Sequence, residues 1–303
     1  MLDILITSGK YPDFDKNQLI KANIGIQDGK IAYIGDDEPE AKSIIDASGR
    51  VVSPGFIDIH MHEENAAEGD KWVIAEMMVR QGVTTAVGGN CGVMNQPLKE
   101  FKAMMDRLEG CPVNYLIFSG YNYYRHDVLG FDHYDKTDKE VWDKIRDFVR
   151  EDLKEGACGI SFGIEYDPGI TTEEIKYAID VSDDDHLLIS AHYRADGEKA
   201  AEAIREMIDI QESTGKRFQV SHLSSCSAMG QMREALDLIN EENAKNPRFN
   251  YDTYPYNAFS THIGSTVFED GCLEAWGKDY SDIMLTEEPY KNVRCNKEIF
   301  EDA

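Results

Sequence analysis

Two patterns of apolar and polar residues divide the chain near residue 50. Residues 1–50 hold short apolar runs, as in IGIQDGKIAYIG, where Asp28-Gly29 joins two of them. Because Asp-Gly suits a two-residue β-hairpin turn, this stretch predicts a hairpin. SIIDASGRVVSPG repeats the pattern and predicts a second hairpin at Ser48-Gly49. We therefore expect an all-β segment over 1–50.

After Pro54 the pattern changes to short apolar strands separated by amphipathic stretches. Seven segments read as strands: GFIDIH (55–60), VTTAVGG (83–89), VNYLIFSG (113–120), CGISFGI (158–164), HLLISAH (186–192), FQVSH (218–222) and FNYDTYPY (249–256). Strands that alternate with helices are typical of parallel βαβ units. Residues 51–303 therefore predict an incomplete (β/α)8 barrel of TIM type that lacks its last strand.

Two helices between these strands have clear ends. DKEVWDKIRDFVREDLKEG has helical apolar spacing, a capping box at Thr137-x-x-Glu140 and a stop at Gly156. EKAAEAIREMIDIQESTG ends in the same way at Gly215.

The first strand of the barrel ends in two histidines, in PGFIDIHMH, followed by Glu63 and Glu64. Alternate residues of a strand face the same side, so we expect His60 and His62 to project together, about 7 Å apart along the backbone. Two imidazoles on one face suit a single metal ion.

Other metal-binding residue types stand at later strand ends. Cys91 follows the second strand, and His192 and His222 close SAH and VSH. In a parallel barrel these ends meet on one rim, which is where active sites lie. Three more ligands beside His60 and His62 predict zinc. The remaining histidines, among them His126 and His133, are read as solvated or structural, and His262 alone as a possible substrate contact.

The composition of the chain disfavours some classes of binding partner. The formal net charge of −26, from 57 acidic and 31 basic residues, disfavours binding to nucleic acid and to anionic membranes. Six scattered cysteines without a CxxC pair indicate reduced thiols, and neither a signal pattern nor a transmembrane run is seen. We expect a cytoplasmic protein with a small-molecule substrate.

The order of these motifs resembles the amidohydrolase superfamily and, within it, the N-acyl-D-amino-acid deacylase (D-aminoacylase) family. The resemblance covers about residues 1–266. The segments that carry it are PGFIDIHMHEE, VGGNCG, GYNYYRHDVLG, ISFGIEYDPG, AHYRADG, VSHLSS and DTYPYNAFST.

The resemblance implies roles for particular residues. Cys91, His192 and His222 would hold one tightly bound zinc, while His60 and His62 would form a second, weaker position that Cys91 could bridge. Residues expected to face the substrate are Tyr166, Arg194, Ser224 and Tyr254 or Tyr256. Arg194 is equally consistent with a salt bridge that ties its loop. Residues 1–50 would begin a small β-sandwich domain, which the family completes with its C-terminus.

The chain departs from the family in two places. The family's general base is an aspartate at the end of strand eight, and no such segment follows YPYNAFST, so we expect this base beyond residue 303. Ser224 also stands where the family commonly has a lysine that pairs with the substrate carboxylate. Arg125, Arg194 or a residue in the absent segment could replace that charge, or the substrate could be a different amide.

Three hypotheses follow. The first is a zinc-dependent amide hydrolase that deacylates N-acyl-D-amino acids. The second is a related amidohydrolase that acts on a cyclic amide or a dipeptide; such enzymes more often use a carboxylated lysine on strand four, which ISFGIEY lacks. The third is a truncated metal-binding chain without activity, because the strand-eight aspartate is absent.

Overall fold

A computed structural model describes residues 1–62 and 72–303. The chain divides into two compact units, Met1–Phe56 and Ile57–Ala303. The boundary follows the change from an all-β pattern to alternating strands and helices. Glu63 and Glu64 lie outside the described residues.

The first unit is built from strands. They are β1 (Leu2–Thr7), β2 (Lys10–Asp13), β3 (Gln18–Lys21), β4 (Asn23–Gln27), β5 (Lys30–Gly35) and β6 (Ala41–Asp46). A four-stranded sheet has the order β5-β4-β1-β6, and β2 and β3 form a separate hairpin. The all-β prediction is confirmed, while the β-sandwich stays a prediction.

One of the two predicted hairpins forms. Asp28 and Gly29 join β4 to antiparallel β5, with positive φ angles of 50° and 71° that a tight hairpin turn needs. At Ser48-Gly49 a turn forms, but β6 pairs in parallel with β1, and Val51 bridges Lys10 instead. The second hairpin prediction was wrong, because the residues after this turn do not form an antiparallel strand beside β6 and Val51 pairs in parallel with Lys10.

The second unit contains one seven-stranded sheet whose spatial order follows the chain. Its strands are β7 (Phe56–Asp58), β8 (Val83–Gly88), β9 (Asn114–Gly120), β10 (Gly159–Gly163), β11 (Leu188–His192), β12 (Arg217–Val220) and β13 (Phe249–Tyr251). Strands β8 to β13 pair in parallel. All seven predicted strands exist, each shorter than the apolar run that predicted it.

Helices lie between and after these strands. They are α1 (Val73–Arg80), α2 (Leu98–Leu108), α3 (Tyr121–Tyr123), α4 (Lys139–Glu155), α5 (Thr172–Ile179), α6 (Ala200–Thr214), α7 (Leu223–Ser227), α8 (Met232–Lys245), α9 (Cys272–Trp276) and α10 (Lys297–Asp302). None of the described helices is long and apolar enough to cross a membrane.

Burial explains this arrangement. Every residue of β10 is buried, as expected for a parallel strand with both faces covered. Ile145 and Val149 of α4 and Ile204 of α6 are fully buried in the same core. The apolar stripes of α4 and α6 therefore pack into one core with the strands.

The start of α4 differs by one residue from the prediction. Asp138 is the N-cap, and its carboxylate accepts hydrogen bonds from the backbone N–H groups of Glu140 and Val141. Thr137 instead accepts a hydrogen bond from Trp142 Nε1 at 3.0 Å. Gly156 ends the helix at a φ of 103°, as predicted.

Past β13, the described residues add no further strand to the large sheet. Strands β14 (Met284–Leu285) and β15 (Val293–Arg294) pair only with each other. The sheet thus has two open edges, at β7 and at β13.

Candidate metal centre

Four of the predicted ligands meet at the carboxyl ends of the parallel strands. His192 is the last residue of β11, while His60, Cys91 and His222 lie two or three residues past β7, β8 and β12. These ends are adjacent because the strands are parallel and successive.

Cys91 lies between two histidines. Its Sγ is 3.5 Å from His60 Nε2 and 3.4 Å from His222 Nε2. The three ligand atoms are all within 4.8 Å of one another. Zinc bonds of about 2.3 Å to sulfur and about 2.0 Å to nitrogen, at tetrahedral angles, separate two ligand atoms by about 3.5 Å.

A second triad shares His222 and includes a residue that the sequence analysis missed. Cys226 Sγ lies 3.8 Å from His192 Nε2 and 3.8 Å from His222 Nδ1. Cys226 stands four residues after His222, one turn along α7, and that spacing was the available signal. Three histidines and two cysteines therefore form one contiguous cluster.

His62 is not a member of either triad, but its ring lies beside that of His60. Its ring centroid is 5.7 Å from that of His60, and its residue is exposed. The expectation that His60 and His62 share a face assumed a strand through residue 62, but β7 ends at Asp58. Alternation no longer applies beyond that point.

The loop that carries Cys91 is fixed by Asn90. The Asn90 amide donates to the carbonyls of Ile59, Met61 and Val87, and its oxygen accepts from Ser190. These bonds tie the loop to the His60 segment. The NCG motif thus positions the thiol.

Two ligands have unusual backbone conformations. Cys91 has a φ of 54° and His222 a φ of 35°, in the left-handed region. Side chains rarely adopt such angles outside turns and functional sites. Gly92 next to Cys91 allows a close approach, since a Cβ there would lie 1.8 Å from Asn122 Oδ1.

Asp252 supports the centre from behind. It lies 3.4 Å from His60 Nδ1 and accepts hydrogen bonds from Gln219 Nε2 and from the His222 backbone N–H. A carboxylate on the far nitrogen of a ligand histidine orients the ring in many metal sites. Ser225 Oγ likewise lies 2.7 Å from His222 Nδ1.

The electrostatics favour thiolates beside imidazoles. Burial raises the pKa of Cys226, but the charges of His192 and His222 and their hydrogen bonds together outweigh it and bring that pKa to about 6. Burial lowers the pKa of His60, yet the Cys91 thiolate and Asp252 raise it overall to about 10. Protonated histidines thus surround the thiolates. A bound metal cation would supply the same positive charge beside them.

Glu165 is a further oxygen at the rim. Its Oε2 lies 2.6 Å from His192 Nε2. Nδ1 of His192 is buried and has no hydrogen-bond partner among the described residues. A buried, unpartnered nitrogen, two thiols and neighbouring imidazoles make a donor set that fits zinc.

The predicted substrate-facing tyrosines lie near the centre to different degrees. The Tyr166 ring is 4.6 Å from that of His192, and its hydroxyl lies 3.1 Å from Thr261 Oγ1. Tyr254 lies beside Ser224 and Ser225, whereas Tyr256 is 73% exposed. Of these three tyrosines, Tyr166 is therefore the one whose ring contacts His192.

Both candidate arginines are engaged elsewhere. Arg194 makes a bidentate salt bridge with Glu206, at 2.8 Å for each bond, and donates to the Ile170 carbonyl. Arg125 is fully buried and donates to backbone carbonyls of residues 132 and 135. Both guanidinium groups are thus held by contacts within the protein.

Comparison with known proteins points to one family. The Amidohydrolase family model matches residues 51–244. A D-aminoacylase from Alcaligenes xylosoxydans xylosoxydans is 31% identical in an alignment of 288 positions that covers 86% of this chain and 59% of that protein. The chain therefore spans about three fifths of this relative's length.

Solved structures of similar fold come from the same family. A D-aminoacylase crystal structure superposes with a TM-score of 0.74 at 27% identity, over 87% of this chain and 60% of that one. An N-acyl-D-glutamate deacylase from Bordetella bronchiseptica, complexed with zinc and a phosphonate inhibitor, gives 0.72 at 26% identity, over 84% and 59%. The predicted incomplete barrel is confirmed, and the chain belongs to the amidohydrolase family.

Proposed function

We propose that this chain carries the metal centre of a hydrolase that removes the acyl group from N-acyl-D-amino acids. The observation that carries the proposal is the convergence of Cys91 with His60, His192 and His222 at the strand ends of an amidohydrolase barrel. The names of the similar proteins, D-aminoacylase and N-acyl-D-glutamate deacylase, supply the substrate class.

Zinc is the proposed metal. Cys91, His192 and His222 are the proposed ligands of the tighter position. Cys226 lies 3.8 Å from His192 Nε2 and on the Nδ1 side of His222, opposite the Nε2 that faces Cys91. His60 is the proposed ligand of a weaker position that Cys91 bridges, and His62 would join it by rotating its exposed side chain. When bound, zinc supplies Lewis-acid polarisation of an amide carbonyl and a lower pKa for water.

The chain's own side chains would bind and orient the substrate. Burial raises the pKa of Tyr166, so its hydroxyl stays protonated and can donate a hydrogen bond to a developing oxyanion. Tyr254, which lies beside Ser224, is a further proposed substrate contact together with that serine. The substrate carboxylate needs a cationic partner other than Arg125 and Arg194, which are held by internal contacts.

The general base remains the proposed aspartate of an eighth strand. Hydrolysis needs a group that takes a proton from water and returns it to the leaving amine. The described residues after β13 form a separate hairpin instead of an eighth strand of the large sheet. That observation favours a second candidate, in which these 303 residues bind zinc but do not turn over an amide alone.

A cyclic-amide hydrolase is the weaker enzyme alternative. The strand-four segment β10 reads GISFG and offers no lysine for carboxylation. Cys91 instead lies between two histidines, where it can bridge two metal positions. This favours the deacylase over the cyclic-amide hydrolase.

The test combines zinc content with amine release. The purified chain and a Cys91→Ala variant would be assayed by mass spectrometry for zinc and by ninhydrin against N-acetyl-D- and N-acetyl-L-amino acids. Cys272→Ala, a half-buried cysteine outside both triads, is the matched control.

Three outcomes separate the candidates. Zinc and D-selective release that Cys91→Ala abolishes and Cys272→Ala retains would support the deacylase. Zinc without release would support the inactive metal-binding chain. Absence of zinc from the wild-type chain would overturn both.

A further inference from the structure

A second group of metal-binding side chains lies outside the proposed centre. His126, His133 and Asp167 place two ring nitrogens and one carboxylate oxygen within 4.8 Å of one another. His126 Nε2 and His133 Nδ1 both contact the same oxygen, Asp167 Oδ1, the latter at 2.7 Å. The sequence analysis had read both histidines as solvated or structural.

The hydrogen bonds of His126 fix where its protons can be. Its Nδ1 lies 2.6 Å from the carbonyl oxygen of Phe131, which can only accept. Nδ1 therefore carries a hydrogen, and in the neutral ring Nε2 is a lone pair that faces the Asp167 carboxylate. Two acceptors that face each other need a cation between them, either a second proton on the ring or a metal ion.

Asp167 has the surroundings of a ligand carboxylate. It is fully buried, and its other oxygen, Oδ2, accepts a hydrogen bond from Asn122 Nδ2 at 2.7 Å. Asn122 Nδ2 also donates to the carbonyl of Gly163, and Asn122 Oδ1 lies so close to Gly92 that a side chain at residue 92 would clash with it. One oxygen is thus held by the protein, while Oδ1 is left to the two histidines.

Both histidines are held in place by the fold. His126 lies in a short π-helical turn, Tyr124–Val128, a distortion that is frequent at functional sites. The loop that carries His133 is held by buried Arg125, which donates to the carbonyl of Asp135, and by the Gly169 N–H, which donates to the carbonyl of His133. Such prearrangement lowers the cost of binding an ion.

We propose that His126, His133 and Asp167 form a second site for a divalent cation of the zinc class. Two imidazole nitrogens and one carboxylate oxygen are ligands that zinc takes, and three protein ligands leave a fourth position for water. The His133 side chain is 51% exposed, which gives the ion access from solvent. The ion would join the π-helical turn and the His133 loop to the segment that follows β10.

Cobalt(II) and zinc can test this in the 303-residue chain. Cobalt bound at the proposed centre contacts thiolates and shows charge-transfer absorption, whereas cobalt bound by His126, His133 and Asp167 contacts only nitrogen and oxygen. Zinc equivalents would be counted by mass spectrometry after dialysis.

The variants isolate the second site. His133→Ala removes a half-exposed ligand, so folding is expected to survive, and Asp167→Asn removes the shared oxygen. His186→Ala, an exposed histidine outside the cluster, is the control. A Cys91→Ala/Cys226→Ala background removes both thiols of the centre.

The expected result is loss of about one zinc equivalent in His133→Ala, with the thiolate absorption of the cobalt form unchanged. In the double-cysteine background, cobalt should still bind without a thiolate band, and adding His133→Ala should weaken it at least about tenfold. Equal zinc content in the wild-type chain and His133→Ala, or no cobalt bound in the double-cysteine background, would overturn the proposal.

Discussion

Two groups of histidines in this barrel differ in how they are built. In the first group, His60, His192 and His222 surround thiols, and each lies at or just past the end of a strand of one sheet. In the other group, His126 and His133 come from a helical turn and a loop and meet on one buried carboxylate, Asp167. The fold's topology assembles the first group, whereas local loop contacts assemble the second.

The comparison predicts that the first group depends most on its cysteine. Cys91→Ala should weaken zinc binding by at least about 100-fold, because it removes a ligand that lies between two histidines. Competition with a chromophoric chelator would measure the change. Unchanged affinity, with Cys272→Ala equal to the wild-type chain, would show that the thiol is not a ligand.

His222 should matter more than His60. It belongs to both triads at the strand ends, while His60 belongs to one. We expect His222→Ala to weaken zinc binding about tenfold more than His60→Ala. The same competition assay ranks the two variants, and the reverse order would contradict the shared role of His222.

In the second group, Asp167 should contribute more to stability than either histidine. Asp167→Asn leaves two imidazoles without their buried partner, and we expect it to lower the free energy of unfolding by about 2–3 kcal/mol. His133→Ala, which is half exposed, should cost less than about 1 kcal/mol. Urea unfolding of metal-free protein measures both, and equal losses would argue against a central carboxylate.

A smaller effect concerns Asp196, which lies near the first group. Burial, followed by the charges of Glu165 and Cys226, raises the pKa of this carboxyl to about 7, although its oxygen accepts a hydrogen bond from Trp276 Nε1. The folded chain therefore keeps a proton that the unfolded chain loses above about pH 4. The contribution of this bound proton to the free energy of unfolding is full below about pH 4 and is lost as the pH rises through about 7.

Asp196→Asn should remove this pH dependence. The variant is neutral at all pH values, so we expect it to be more stable than the wild-type chain above pH 7, by on the order of 1 kcal/mol, with the difference gone near pH 4. Melting temperatures from pH 4 to 8 test the sign. A gain that is largest at low pH would contradict the assignment.

The contrast between the two groups also explains what the sequence could reveal. The seven strands were predicted because apolar runs of four to eight residues alternate with helical spacing. Once the strands are parallel, their carboxyl ends must meet, so His60, Cys91, His192 and His222 could be brought together without coordinates. The family resemblance assigned the same residues to two metal positions.

Other features depend on geometry that no spacing rule contains. Cys226 enters the centre because His222 adopts a left-handed conformation just before α7. His126 and His133 meet Asp167 because buried Arg125 holds a loop by its carbonyls. His62 lies beside His60 but outside both triads, and β7 ends four residues before it, at Asp58. Strand length and loop closure are decided by packing, which the local sequence reports poorly.

The central claim is that zinc is held at the strand ends by thiolate and imidazole together. X-ray absorption at the zinc edge of the His133→Ala chain, loaded with one equivalent, tests it most directly, because sulfur and nitrogen ligands differ in distance. The account predicts a sulfur shell at about 2.3 Å beside nitrogen at about 2.0 Å, with the sulfur shell reduced by Cys91→Ala. A spectrum that contains only nitrogen and oxygen neighbours would contradict it.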